Sequence, residues 1–164
     1  MKIIYKTGDA LKGPERFTCH GCNSRGVMGS GIAAQVRKDY PPAYRVYREA
    51  FVTLADPSQG LRLGSTTHVL CTDGRTIINA VTQADFGRDP NRVYVSYEAF
   101  PPVLRSISNI VAAAGYGPEE PVAFPLIGAG LANGSWTRIA ELIETHSQGF
   151  QPVVYLFDGK MPVT

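Results

Sequence analysis

Apolar residues in this 164-residue chain fall into short runs broken by glycine, proline and polar clusters. Lys2–Tyr5 reads as a first strand closed by Gly8-Asp9, and Arg16–His20 as a second after the Gly13-Pro14 break. A helix is expected over Ile32–Asp39, stopping before Pro41-Pro42, because proline lacks an N–H and crowds the preceding turn. Tyr44, Tyr47 and Phe51 fall on one helical face and predict a second helix over Ala43–Leu54, followed by the turn cluster Asp56-Pro57-Ser58-Gln59-Gly60. Thr67–Cys71 and Thr76–Val81 read as two strands of a hairpin turning at Asp73-Gly74. Thr82–Arg92 is polar and reads as a surface loop, and Ser96 opens a helical region running to Ala114 with Pro101-Pro102 in its first turn. Pro121–Phe124 is a short buried strand, and Ser135 is placed to cap a helix over Trp136–Thr145. The last strand, Gln151–Phe157, is mostly apolar and therefore expected inside the sheet. Strands alternate with helices, which predicts an α/β fold of three layers with helices on both faces. No repeat, linker or low-complexity tract interrupts the pattern, so one domain over 1–164 is expected.

Composition narrows this picture only a little. The chain is 44% hydrophobic and 18% charged, as an ordinary folded protein is. A formal charge of +2 makes no case for nucleic acid. No run reaches the ~18 apolar residues of a membrane span. Met1–Lys6 is too short and interrupted for a signal peptide. Three cysteines do not form a disulfide framework, so the expectation is a cytoplasmic protein. No large apolar surface repeat calls for a second copy, and a monomer is expected.

Candidate chemistry gathers at two glycine-bearing loops. One runs Cys22-Asn23-Ser24-Arg25-Gly26-Val27-Met28-Gly29-Ser30-Gly31; the other runs Leu126-Ile127-Gly128-Ala129-Gly130-Leu131. Each follows a predicted strand and leads into a predicted helix. Glycine lets backbone N–H groups approach an anion, and a helix N-terminus adds its positive dipole end. Two such cradles suit a ligand with two phosphates.

Three other motifs compete. Cys19 and Arg25 have the Cys-x5-Arg spacing of cysteine phosphatases, but the glycines that follow give weak support to a low thiol pKa. Cys19-His20-Gly21-Cys22 and His68-Val69-Leu70-Cys71 offer thiols and imidazoles. Residues three apart on a strand point to opposite faces, so a tetrahedral zinc set is not readily assembled, and no metal is expected. Gly128-x-Gly130-x3-Gly134 echoes a dinucleotide fingerprint, yet only one strand follows it and no room remains for a substrate domain.

Taken together, Gly8-Asp9, Asn23…Gly29-Ser30-Gly31-Ile32-Ala33 and Pro125-Leu126-Ile127-Gly128-Ala129-Gly130-Leu131 resemble the macro domain family. Asn79-Ala80-Val81-Thr82-Gln83 and Ser96-Tyr97-Glu98-Ala99 fit its middle, so the resemblance spans nearly the whole chain. It implies a three-layer α/β/α fold with a mixed central sheet and binding of ADP-ribose or an ADP-ribosyl derivative without a cofactor. It further implies that Asp9, beside Ala10, accepts from the adenine amino group, and that Phe157 or Tyr155 stacks on adenine. Gly29, Ser30, Gly31 and Ile32 would wrap the diphosphate from one side and Gly128, Ala129, Gly130 and Leu131 from the other. Asn23 would hold the distal ribose.

Branches of the family differ in chemistry. In one, a middle-loop lysine and an aspartate after the second glycine loop remove ADP-ribose from glutamate or DNA bases. The matching positions are Gln83 and Ala132, which suit neither role. Yeast-type ADP-ribose 1''-phosphate phosphatases enter the first loop with His-x-Cys-Asn, which His20-Gly21-Cys22-Asn23 resembles. That resemblance implies phosphate hydrolysis with His20 as proton-transfer group and Asn23 orienting the ribose. Asp85, in the polar middle loop, is a second candidate acid–base. De-ADP-ribosylation and a non-catalytic reader remain as alternatives.

Overall fold

The computed structural model describes residues 1–164. Its strands are β1 (Ile4–Thr7), β2 (Phe17–Asn23), β3 (Thr66–Leu70), β4 (Thr76–Gln83), β5 (Pro121–Phe124) and β6 (Gln151–Leu156). Its main helices are α1 (Gly31–Asp39), α2 (Pro41–Val52), α3 (Phe100–Ala113) and α4 (Trp136–His146). None is long and apolar enough to cross a membrane.

All six strands form one sheet in the order β1-β6-β5-β2-β4-β3. Neighbours are parallel except β3, which runs antiparallel to β4 at one edge. The turn before β4 places Gly74 at φ 88, a left-handed conformation that favours glycine. The parallel strands therefore end together, and the segments leaving β1, β2, β4, β5 and β6 emerge along one rim. Ligands bind along such a rim in α/β folds.

Residues on alternate faces of each strand build two cores. Phe17 and Cys19 of β2, with Ile78 and Ala80 of β4, pack against Val103, Leu104 and Ile107 of α3 and Ile139 and Ile143 of α4. Cys22 and Ile77 face the other way, toward Val36 of α1 and Ala43 and Tyr47 of α2. The three layers are thus helices, mixed sheet and helices, as the alternation predicts.

Boundaries depart from the sequence reading in two places that matter. Pro41 and Pro42 lie in the first turn of α2, where a missing N–H costs nothing because first-turn amides have no intrahelical partner. Strand β2 continues three residues past His20, since β4 offers it partners as far as Asn23 opposite Gln83. The register slips between Cys22 and Asn23, a bulge that turns the chain out of the sheet into the first glycine loop.

Candidate functional site

Asn23 organises the first loop. Its Oδ1 accepts from the Arg25 amide (2.9 Å) and the Tyr47 hydroxyl (3.0 Å), and its Nδ2 donates to the Val27 carbonyl (2.8 Å). Tyr47 also donates to the Asn23 carbonyl at 2.7 Å, so α2 holds this turn from beneath. Beyond it, Gly29, Ser30 and Gly31 lead into α1. Ser30 occupies the N-cap position without a side-chain cap bond, and the first turn carries no acidic residue. The positive end of α1 is therefore uncompensated within the chain.

The second loop turns on Gly128, at φ 79, whose carbonyl accepts from the Gly134 amide (2.8 Å). A Cβ at Gly134 would lie 2.5 Å from that carbonyl oxygen, so packing requires glycine there. Gly130 differs: an added Cβ would meet nothing within 4 Å. Packing does not demand glycine at that position, and its bareness leaves the loop backbone open to close approach from the cleft.

The two loops face one another across a cleft of about 650 Å³. The amides of Gly29, Ser30 and Gly31 on one wall, and of Gly128, Gly130 and Leu131 on the other, donate to no acceptor in the chain. Opposed rows of unpaired N–H groups, one at a helix N-terminus, make an anion cradle. Ala129 is different from the expectation: its amide is occupied by the Leu126 carbonyl and it does not line the cleft. Ile32 and Asn23 do line it.

The fold is that of a macrodomain. A solved macrodomain of Mycobacterium tuberculosis DarG superposes with a TM-score of 0.72 at 21% identity, covering 93% of this chain and 96% of that one. A Thermosipho africanus DarTG structure in complex with ADP-ribose superposes at 0.70 with 16% identity, over 99% of this chain and 43% of that one. Among curated proteins, an ADP-ribose 1''-phosphate phosphatase of Meyerozyma guilliermondii is 29% identical over 88% of this chain and 94% of its own length. No family model matches the chain.

Two acid–base expectations are overturned by this fold. His20 is completely buried on the α2 face of the sheet and does not reach the cleft. Its Nε2 lies 2.6 Å from Oδ1 of Asn79, its register partner, and Asn79 donates onward to the Ala43 carbonyl (2.9 Å). Burial pushes the imidazole pKa down to about 4, against the opposing effect of the hydrogen bond that the ring donates to Asn79 Oδ1. His20 is a neutral tie between sheet and α2. Because β2 runs on to Asn23, His20 lies within the strand and not at its end, with its ring beside Asn79 and Cys22. Asp85 also stands outside the cleft lining. Its carboxylate is gripped by Arg25 (3.0 Å) and Arg92 (3.3 Å), and the Arg25 hydrogen bond chiefly holds its pKa below the usual carboxylate range.

The thiols are equally unsuited to nucleophilic work. Cys19 is sealed in the α3–α4 core, where burial pushes its pKa far up. Cys22 lines the cleft but is raised too, first by burial and then by Cys19. Cys19, sealed away from the cleft, does not form a phosphatase loop with Arg25, and Cys19 and Cys22 face opposite cores and so do not share a metal site.

The proposed adenine contacts lie outside the cleft but on the same rim. The Gly8 amide donates to the Leu156 carbonyl, so Asp9 and Phe157 both follow shortly after the paired ends of β1 and β6. Phe157 is 81% exposed and free to stack, whereas Tyr155 is buried with its hydroxyl donating to Glu15 (2.7 Å). Asp9 already accepts from the Leu11 amide through Oδ1 (2.8 Å), leaving its other oxygen available. Ala10 is buried against Ala123, Val153 and Tyr155 and acts as packing beneath this corner.

Phe86, Gly87 and Arg88 also line the cleft, and no periodicity or motif in the sequence pointed to them. Gln83 and Ala132 line it as well.

Proposed function

We propose that this macrodomain binds ADP-ribose and releases phosphate from ADP-ribose 1''-phosphate. The observation that carries the reading is the pair of unpaired amide rows lining one cleft, which suits the charge of a diphosphate. Similarity to the Meyerozyma guilliermondii phosphatase supports the choice of leaving group. In this reading the diphosphate lies between Gly29–Ile32 and Gly128–Leu131, adenine extends along the rim to Asp9 and Phe157, and the distal ribose sits by Asn23.

The cleft lining contains no aspartate, glutamate, histidine or lysine. Phosphoryl transfer tolerates that lack, because its loose transition state is stabilised mainly by positioning and electrostatics. Water attacks phosphorus, the bond from phosphorus to the anomeric oxygen breaks, and the proton on the phosphate monoanion passes to the departing oxygen. A phosphate ester loses that proton with a pKa of about 6, so turnover falls as pH rises through that value. De-ADP-ribosylation by the lysine–aspartate route is disfavoured, as Gln83 and Ala132 are neither nucleophile nor base.

The same bare lining suits a reader that holds ADP-ribose and transforms nothing. Phosphate release from ADP-ribose 1''-phosphate, measured beside calorimetric binding of ADP-ribose, separates the two. Release with turnover supports the phosphatase. Binding without release refutes it and leaves the reader.

A further inference from the structure

The segment between β4 and α3 is anchored to both glycine loops. On one side Asp85 takes Arg25 of the first loop at 3.0 Å, while the Ser24 amide donates to the Ala84 carbonyl (3.3 Å). On the other, Nδ2 of Asn133, just past the second loop, donates to the carbonyls of Asp89 (3.0 Å) and Arg92 (2.8 Å). The three residues between these anchors, Phe86, Gly87 and Arg88, are held as a bridge along the cleft.

Arg88 is the one cation lining that cleft. The flanking arginines, Arg25 and Arg92, are both paired with Asp85; Arg88 has no ion pair and no hydrogen bond within the chain. Arg88 is exposed at the mouth of the cleft, with its flanking backbone anchored at both sides, so its guanidinium is open to an anionic group on a bound ligand. The diphosphate is already matched by the two amide rows, so the guanidinium is available to a further anionic group. Guanidinium and phosphate match in a bidentate fork.

We propose that Arg88 forms a third anion subsite, which takes a phosphate carried on the terminal ribose of the ligand. The proposal rests on the reading of the cleft as an ADP-ribose site and identifies the residue that separates the phosphorylated ligand from ADP-ribose itself. Arg88 also neutralises charge on the phosphoryl group as its bond to the anomeric oxygen breaks.

Arg88→Gln and Arg88→Lys test it, since a side chain without partners can be changed without disturbing the fold. In Arg88→Gln the Kd for ADP-ribose stays within about threefold of wild type, while kcat/KM for phosphate release falls roughly ten- to a hundredfold, as loss of a charge-assisted bond implies. Arg88→Lys recovers part of that loss, keeping the charge without the fork. Equal weakening toward ADP-ribose and the 1''-phosphate would assign Arg88 to the diphosphate and overturn the proposal, as would unchanged kinetics. If wild type releases no phosphate, the phosphatase reading fails on its own, and affinity then decides. Tighter binding of the 1''-phosphate than of ADP-ribose, abolished in Arg88→Gln, supports the subsite; equal affinities in wild type overturn it.

Discussion

Lowering the pH from 7.5 to 5.0 perturbs His20 in a way that distinguishes a buried tie from a catalytic group. Unfolded, the imidazole titrates near 6.5; folded, burial depresses it to about 4. As pH falls, the unfolded chain therefore takes up a proton before the native protein does. Stability is intact above about pH 7, erodes between 6.5 and 4, and the loss is complete below 4. A gap of about two and a half units corresponds to about 3 kcal/mol in full, of which about 2 kcal/mol is lost by pH 5. Urea unfolding at both pH values, on wild type and His20→Gln, isolates this contribution because the other titrating groups are common to both. Wild type is expected to lose about 2 kcal/mol more than the variant over that interval. Equal losses would mean that His20 is not buried and neutral in the native protein, and would refute its role as a structural tie. The variant's phosphate release should follow the same pH profile as wild type.

Other consequences are sharp enough to check. Gly130→Val should leave the urea midpoint unchanged, since its Cβ meets nothing within 4 Å, yet weaken ADP-ribose binding in calorimetry by at least roughly tenfold by filling the cradle. Tyr47→Phe removes the buried hydroxyl that holds Asn23 and should lower stability by about 1–2 kcal/mol in denaturant unfolding, with a weaker Kd for ADP-ribose. Asp85→Asn should keep kcat for phosphate release well above the roughly hundredfold loss expected when a general acid–base is removed, because Asp85 is an arginine clamp outside the cleft.

Much of this molecule is legible along the chain, because secondary structure follows from spacing that neighbours in sequence carry. The apolar runs predicted every strand of the sheet, and the Asp73-Gly74 pair predicted the antiparallel edge. The glycines of the two loops marked the cleft, since closeness of backbone to ligand is written in the missing side chain. Tertiary structure decided which side chains reach that cleft. His20 reads as a strand-end histidine until β4 pairs with β2 beyond it and α2 covers that face, leaving the ring buried beside Asn79. Asp85 reads as a free loop carboxylate until Arg25, sixty residues away, closes on it. Arg88 carries no local signal at all; it matters because folding neutralises its neighbours and leaves it alone over the anion cradle. Direction and pairing of charges depend on contacts between distant segments, and those are set only when the layers pack.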